Sequence, residues 1–423
     1  MEQIESTMPL VTVIIPVYNA EQTICETLDS VFDQRYKHLQ VIVVDDGSTD
    51  NSVEKIQSYC DARLELIRLS ENANLIAARN CALERARGDY IAFLDSDDIW
   101  LPTKIEKQVK LLENEPSIGA CFTWGEIIDE NSNTHTLENS EVRWFYDAFH
   151  EKNRSHKEWL LRLLTGSNFL LCSSSFIRSE IVQKVGKQNL TLLQLQDYEY
   201  WIRILSHCNI HIICEELTKY RRVITGNSLS ASNPINQIRS MNEGVYICKH
   251  FFDFISNELF ISLFQDNFRN ADSKTDVELA CEKAFLIEKA YCGKEPFYSC
   301  LEDLISNETS ADVLAKRFGY THKDFYRDNA GHRYISPLEY QKRSETIRQL
   351  SESVDQHLET IRQLSESMAQ NLETIDQYAK KIDSLNQHNS ELLEHIHFMT
   401  ISRSWRITKP LRAVAEKIRT MLR

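Results

Sequence analysis

Apolar positions in the first half of the chain come as short unbroken runs separated by segments of helical period. Val11–Val17 (VTVIIPV) is one such run, and its lack of alternation predicts a strand buried on both faces. Residues 21–32 follow with Ile24, Leu28, Val31 and Phe32 on one side of a predicted helix. Residues 40–44 (QVIVV) predict a second buried strand ending in Asp45-Asp46-Gly47-Ser48, and residues 90–94 (YIAFL) another ending in Asp95-Ser96-Asp97-Asp98. Pro102 opens a predicted helix whose Ile105, Val109 and Leu112 share a face. This alternation predicts an α/β domain with a mostly parallel, Rossmann-like sheet over residues 1–231. Its strands deliver carboxylates and turn residues at their C-terminal ends, the edge where open α/β sheets bind ligands.

Residues 232–340 predict a mostly helical, aromatic-rich region with no chemical motif, expected to pack against the first domain or lead into the next segment. From residue 341 the composition turns to Gln, Ser, Glu and Leu, and ETIRQLSES at 345–353 recurs at 359–367. The period is two heptads. With Ile347 at a, thirteen of the sixteen a and d positions from Ile347 to Met399 are apolar or aromatic, which predicts a coiled coil over 341–401. Branched residues at a with Leu at several d positions favour a parallel homodimer, and Asn371 and Asn389 would set its register. Residues 402–423 reverse the charge, with seven Arg or Lys against Glu416. There Leu411, Val414, Ala415, Ile418 and Leu422 fall on one face behind Trp405, a pattern suited to an anionic membrane surface or to the acidic body of the protein itself.

Composition narrows the classes. The 423 residues carry 62 acidic and 48 basic side chains, a net charge of −14 that argues against a nucleic-acid partner. No run of about 18 apolar residues predicts a membrane span. Eleven cysteines lack zinc-type or CxxC spacing, and with no signal-peptide pattern at the start they are expected to be reduced thiols of a cytoplasmic protein.

No Gly-rich phosphate loop supports an ATPase or a dehydrogenase. Asp95 and Asp97, one residue apart at the end of a buried strand, instead suit a hard divalent ion, Mg²⁺ or Mn²⁺, that keeps positions open for substrate phosphates. Asp97 and Asp98 also suit an N-cap and turn before Pro102.

The strings VTVIIPVYNAE, SVFDQRYKHLQVIVVDDGSTDNS, ENANLIAARNCALERARGDYIAFLDSDDIWLPTKIEKQV and LQDYEYWIRIL resemble family 2 glycosyltransferases of the GT-A fold over residues 9–231. The resemblance implies that Pro16, Val17 and Tyr18 line the base pocket of a nucleotide-sugar donor, most often a UDP-sugar. Asp46 would accept a hydrogen bond from the base, with Asp45 buttressing the turn. Arg79 would lie near the diphosphate, a structural ion pair being its plainer role. Asp95 would contact ribose and metal, Asp97 would bind the metal, and Asp197 would be the general base of an inverting transfer, with Gln196 standing where relatives carry Glu. Glu199 is expected to be structural. Two departures stand out: 72–75 (NANL) lacks the usual Gly, and Ile224 and Thr225 occupy the stretch where many relatives carry a His, leaving Arg221 or Arg222 as electrostatic substitutes.

Residues 402–412 resemble the tail of bacterial cell-surface polysaccharide glycosyltransferases, which implies a peripheral enzyme at the inner face of the membrane acting on lipid-linked glycans such as O-antigen or capsule. The rival expectation is a scaffold, a weak or inactive GT-A domain whose coiled coil organises other transferases.

Overall fold

The computed structural model describes residues 8–223, 233–330, 337–399 and 404–421. Packing divides the chain into one compact unit up to Pro337 and a second from Leu338.

The first unit is built on eight strands: β1 (Val11–Val17), β2 (Leu39–Asp45), β3 (Leu64–Arg68), β4 (Tyr90–Phe93), β5 (Ile99–Trp100), β6 (Ile118–Ile128), β7 (Phe176–Arg178) and β8 (Asn209–Arg221). They form one sheet in the order β3-β2-β1-β4-β7-β6-β8-β5. β3, β2, β1 and β4 are mutually parallel, as are β6 and β8, whereas β7 runs against β4 and β6, and β5 against β8. The sheet is therefore mixed, with four parallel and three antiparallel pairings where a mostly parallel sheet is predicted. The sequence reversal between β1 and β4 opens a crevice at their C-terminal ends, where such sheets bind ligands.

The unbroken apolar runs have a direct consequence. Successive side chains of a strand point to opposite faces, so each run feeds two cores. Ile14, Ile42, Val44, Ile91 and Phe93 belong to one cluster, and Val13, Ile15, Val41, Val43, Ala92 and Leu94 to the other. The second core is closed by Ile24–Phe32 and Lys104–Asn114. The first is closed by His156–Gly166, Gln196–Leu205 and the helical region from Pro234 onward, whose Ile247, Phe251, Phe285 and Leu301 share its interior. Among the described residues, those from Pro234 onward thus share the core of the sheet rather than forming a separate one.

Two predicted helix starts move. Residues 21–23 form a turn before Ile24 because Glu21 is committed to a loop: its Oε2 accepts from Asn51 N at 3.1 Å, and its own N–H donates to Asp50 at 3.0 Å. The helix after Pro102 begins at Lys104 because the Pro102 carbonyl is taken by Arg35 N at 2.8 Å. Asp98 is consequently no N-cap. Ile99 and Trp100 pair with Lys219 and Thr218 of β8 instead.

In the second unit Pro337–Met399 is a single 63-residue helix. Of its predicted seam residues, Ile347, Leu350, Val354, Ile361, Leu364 and Met368 are exposed in the single chain. A further helix, Ser404–Met421, starts six residues before Pro410 and carries that proline inside it, whereas the sequence placed the amphipathic helix after it. Among the described residues no helix is long and apolar enough to cross a membrane.

Candidate active site

β4 ends at Phe93, and the chain leaves the sheet as Asp95-Ser96-Asp97-Asp98. Register sets the depth of this turn: Ile14 faces Phe93, which brings Asp95 level with Pro16 at the end of β1. Thr23 and Thr27 hydroxyls donate to the Ser96 carbonyl at 2.9 Å, and further anchors come from across the sheet. Ser173 Oγ accepts from Asp95 N at 3.1 Å, Asp98 Oδ1 accepts from Arg221 N at 2.8 Å, and Arg221 Nε donates to the Asp97 carbonyl at 2.8 Å. Arg221 also donates to the carbonyls of Asp129 and Glu130, to Glu26 and to Ser132. Its guanidinium is therefore spent on bracing the turn. Arg222 is buried and ion-paired with Glu141. Neither arginine is open to a phosphate, so the proposed electrostatic substitution is not made by either in this structure. The 224–225 departure itself lies outside the described residues.

Arg79 also differs from expectation. It projects from Leu75–Leu83 into the protein, over the Phe93 ring, and donates Nη2 to Asp95 Oδ1 at 2.5 Å. Its side chain is buried and forms the ion pair that is its plainer role. Asp97 carries no such partner. It is open to solvent, yet surrounding protein and then the neighbouring Asp95 charge push its carboxyl up to about 6. Asp98, buried, is pushed well above the carboxylate range by desolvation and by Asp97 and Asp95.

At the β1 and β2 ends, Pro16 and Val17 are buried in the sheet and Tyr18, 48% exposed, presents its ring to solvent. Asp45 is buried and accepts from Ser48 N at 3.2 Å, the expected buttress of its turn. Asp46 is 2% exposed, and its two oxygens accept from Ala73 N at 2.7 Å and Asn74 N at 3.0 Å. A base donor would share an oxygen already engaged. Burial raises the Asp46 carboxyl above its ordinary value, with the two backbone donors opposing. Asn74 stands where the family Gly is missing and has the backbone that Gly favours, φ +85° and ψ 160°. Its Oδ1 caps the following helix by accepting from Ile76 N and Ala77 N.

Asp197 lies in the first turn of Gln196–Leu205. Asn168 Nδ2 donates to its Oδ2 at 2.9 Å, and Tyr198 N to its Oδ1 at 2.8 Å. Burial pushes this carboxyl up to about 6, with Arg79 opposing and Asp95 adding to the rise. Arg79 in turn feels both Asp95 and Asp197, so three groups far apart in sequence share one electrostatic neighbourhood. Glu199 is structural as expected, paired with Arg203 one turn on at 2.8 Å.

Asn168 and Ser173 were missed by sequence reasoning. Their only signal is local: a polar Cys-Ser-Ser-Ser block directly ahead of β7, and an Asn at the end of a helix.

Among the described residues no three or more His, Cys, Asp or Glu side chains converge as a ligand set. Two carboxylates nevertheless suffice for a hard cation whose remaining ligands are phosphates and water. The oxygen-only donors and the like-charge crowding on Asp97 fit such an ion.

The sequence pattern of Glycosyl transferase family 2 matches residues 12–179. An uncharacterized glycosyltransferase of Methanocaldococcus jannaschii is 33% identical over 231 residues, 53% of this chain and 75% of that protein. The Escherichia coli protein WfaP, a UDP-Glc:alpha-D-GlcNAc-diphosphoundecaprenol beta-1,3-glucosyltransferase, is 32% identical over 237 residues, 56% of this chain and 85% of that protein. The chain belongs to glycosyl transferase family 2. It is a glycosyltransferase. The putative teichuronic acid biosynthesis glycosyltransferase TuaG of Bacillus subtilis is 49% identical over a shorter stretch of 117 residues, 27% of this chain and 46% of that protein. None of the three alignments spans more than 56% of this glycosyltransferase.

Proposed function

We propose that the protein transfers a sugar from a nucleotide-sugar donor, a UDP-sugar, to a lipid-linked cell-surface glycan with inversion at the anomeric carbon. The observation that carries this reading is Asp197: a carboxylate with a raised proton affinity, held by Asn168 and grouped with Arg79 and Asp95 at the ligand-binding edge of the sheet. An inverting displacement needs one base, on the side opposite the leaving group, to take the proton of the attacking acceptor hydroxyl. Asp197 fills that role. Tyr18 offers a flat ring to the base of the nucleotide, and Asp46 locks the 73–74 loop beside it. Asp95 and Asp97 would hold Mg²⁺ or Mn²⁺, which when bound supplies charge stabilisation to the departing diphosphate. Arg79 holds Asp95 in place through their ion pair.

The kinship with WfaP supports a diphosphate-lipid acceptor and a UDP-sugar donor. The exposed apolar seam of Pro337–Met399 supports a parallel homodimer, and the basic tail supports a peripheral place on anionic lipid at the cytoplasmic face of the membrane.

The test is to incubate the full chain with a panel of α-linked UDP-sugars and a synthetic lipid-diphosphate sugar, then read the product linkage by NMR. A β-linked product is expected. An α-linked product would overturn the inverting assignment of Asp197, and no transfer from any UDP-sugar would overturn the donor.

A further inference from the structure

The helices beyond Pro234 carry no motif, yet one of their side chains reaches the loop that delivers Asp197. Glu243 lies on Pro234–Lys249 and is 7% exposed. Its Oε1 accepts from Leu193 N at 2.9 Å, and its Oε2 accepts from Gln194 N and Leu195 N, both at 2.8 Å. Three consecutive backbone donors converge on one carboxylate. Leu195 is the residue that caps Gln196–Leu205, and its side chain cannot supply a capping oxygen.

The other side of Asp197 is tied to the same region. Tyr198 packs edge-on against Tyr291, with ring centroids 5.9 Å apart, and donates its hydroxyl to the Leu163 carbonyl. Tyr291 is seated against the residue next to Glu243: a Cβ on Gly244 would meet the Tyr291 Oη at 2.7 Å, so only glycine admits that approach. The neighbours of Asp197 on both sides therefore touch residues outside the strand-bearing part of the chain, Glu243 on a helix and Tyr291 in a turn.

We infer that Glu243 is a positioning residue for the transfer reaction, its carboxylate fixing residues 193–195 so that Asp197 is presented to the acceptor hydroxyl. The inference rests on the reading of Asp197 as base. It makes the helical region part of the catalytic apparatus. Charge-assisted bonds of this kind are roughly twice as strong as neutral ones, and three from adjacent residues leave the loop little freedom. Displacing a reacting group by about 1 Å can cost on the order of 10²-fold in rate.

The test is a graded series in the full chain, Glu243→Gln and Glu243→Leu beside Asp197→Asn. kcat, donor KM, donor affinity by calorimetry and thermal midpoint are measured for each. Gln keeps one accepting oxygen and Leu keeps none, so kcat is expected to fall about 10-fold and about 100-fold respectively, with donor affinity within twofold of the parent. Equal losses of kcat and donor affinity, or an unchanged kcat, would overturn the inference. A measurement on the unmutated enzyme guards against a variant that does not fold. Hydrogen exchange should find the amides of 193–195 as protected as the core of Pro234–Lys249, and exchange at open-loop rates would overturn the clamp. Full activity in Asp197→Asn would instead sink the base reading while leaving the exchange result intact, which keeps the two failures apart.

Discussion

Arg79 and Asp95 meet through a 2.5 Å hydrogen bond in which the arginine side chain is 1% exposed and the aspartate 31%. The cation lies beneath the site and the carboxylate opens toward the crevice. Arg79 Nε and Nη1 have no hydrogen-bond partner among the described residues, so the guanidinium spends its charge on Asp95 and, at longer range, on Asp197. A buried cation under a half-open carboxylate fixes where that carboxylate sits.

Arg79→Met should therefore act on stability as well as rate. Removing one partner of a buried pair costs about 3–5 kcal/mol, and the open side of Asp95 places this pair at about 3. Urea unfolding of both proteins checks it, the variant unfolding at lower urea with an unchanged m-value.

Asp197→Asn keeps the shape and removes the proton acceptor. Donor affinity should survive while kcat falls roughly 10²–10⁴-fold, the span of general-base loss. The wild-type pH profile follows from the raised carboxyl. Burial moves it from the ordinary value up to about 6, and the base works only when unprotonated. The rate should be flat above about pH 7 and fall about tenfold per unit well below pH 6. A profile still flat at pH 5 would place the base elsewhere.

Asp97→Asn should leave the fold intact and abolish most of the metal-dependent activity, since Asp97 has no ion-pair partner to lose. Asp95→Asn should weaken nucleotide and metal binding together and also unpair Arg79. Calorimetric titration of each variant with Mn²⁺ separates the two effects, and wild-type turnover in excess EDTA would sink the metal assignment.

Asn74→Gly should stabilise the enzyme. An L-residue at φ +85°, ψ 160° costs about 1–3 kcal/mol, and replacing an Asn cap by Gly loses only about a few tenths. The net gain of about 1 kcal/mol should appear as a higher thermal midpoint. Asn74→Ala keeps the strain, loses the cap and should melt lower.

Deleting residues 402–423 should abolish binding to anionic vesicles and spare transfer to a soluble acceptor. About 1 kcal/mol for each Lys or Arg near such a surface is lost with the tail, and high salt should mimic the deletion. Deleting from residue 341 onward should convert a dimer into a monomer that still binds donor, as sedimentation will register.

Local chemistry made much of this protein legible from its residues in order. Unbroken apolar runs declare buried strands because both faces of a covered sheet must be dry, and β1, β2 and β4 lie where 11–17, 40–44 and 90–94 predict them. The acidic clusters at their ends, Asp45-Asp46 and Asp95 to Asp98, come to one edge because parallel strands share a direction. The heptad pattern likewise announces the long helix. What needed the tertiary structure is every relationship that closes over a long loop. Arg79 is buried over the Phe93 ring and paired with Asp95. Arg221 is spent on the Asp97 turn because β8 ends beside it. Asp197 joins Asp95 across about a hundred residues, with Asn168 and Glu243 on either side. None of these has a periodicity, since side chains brought together by packing leave no regular spacing along the chain.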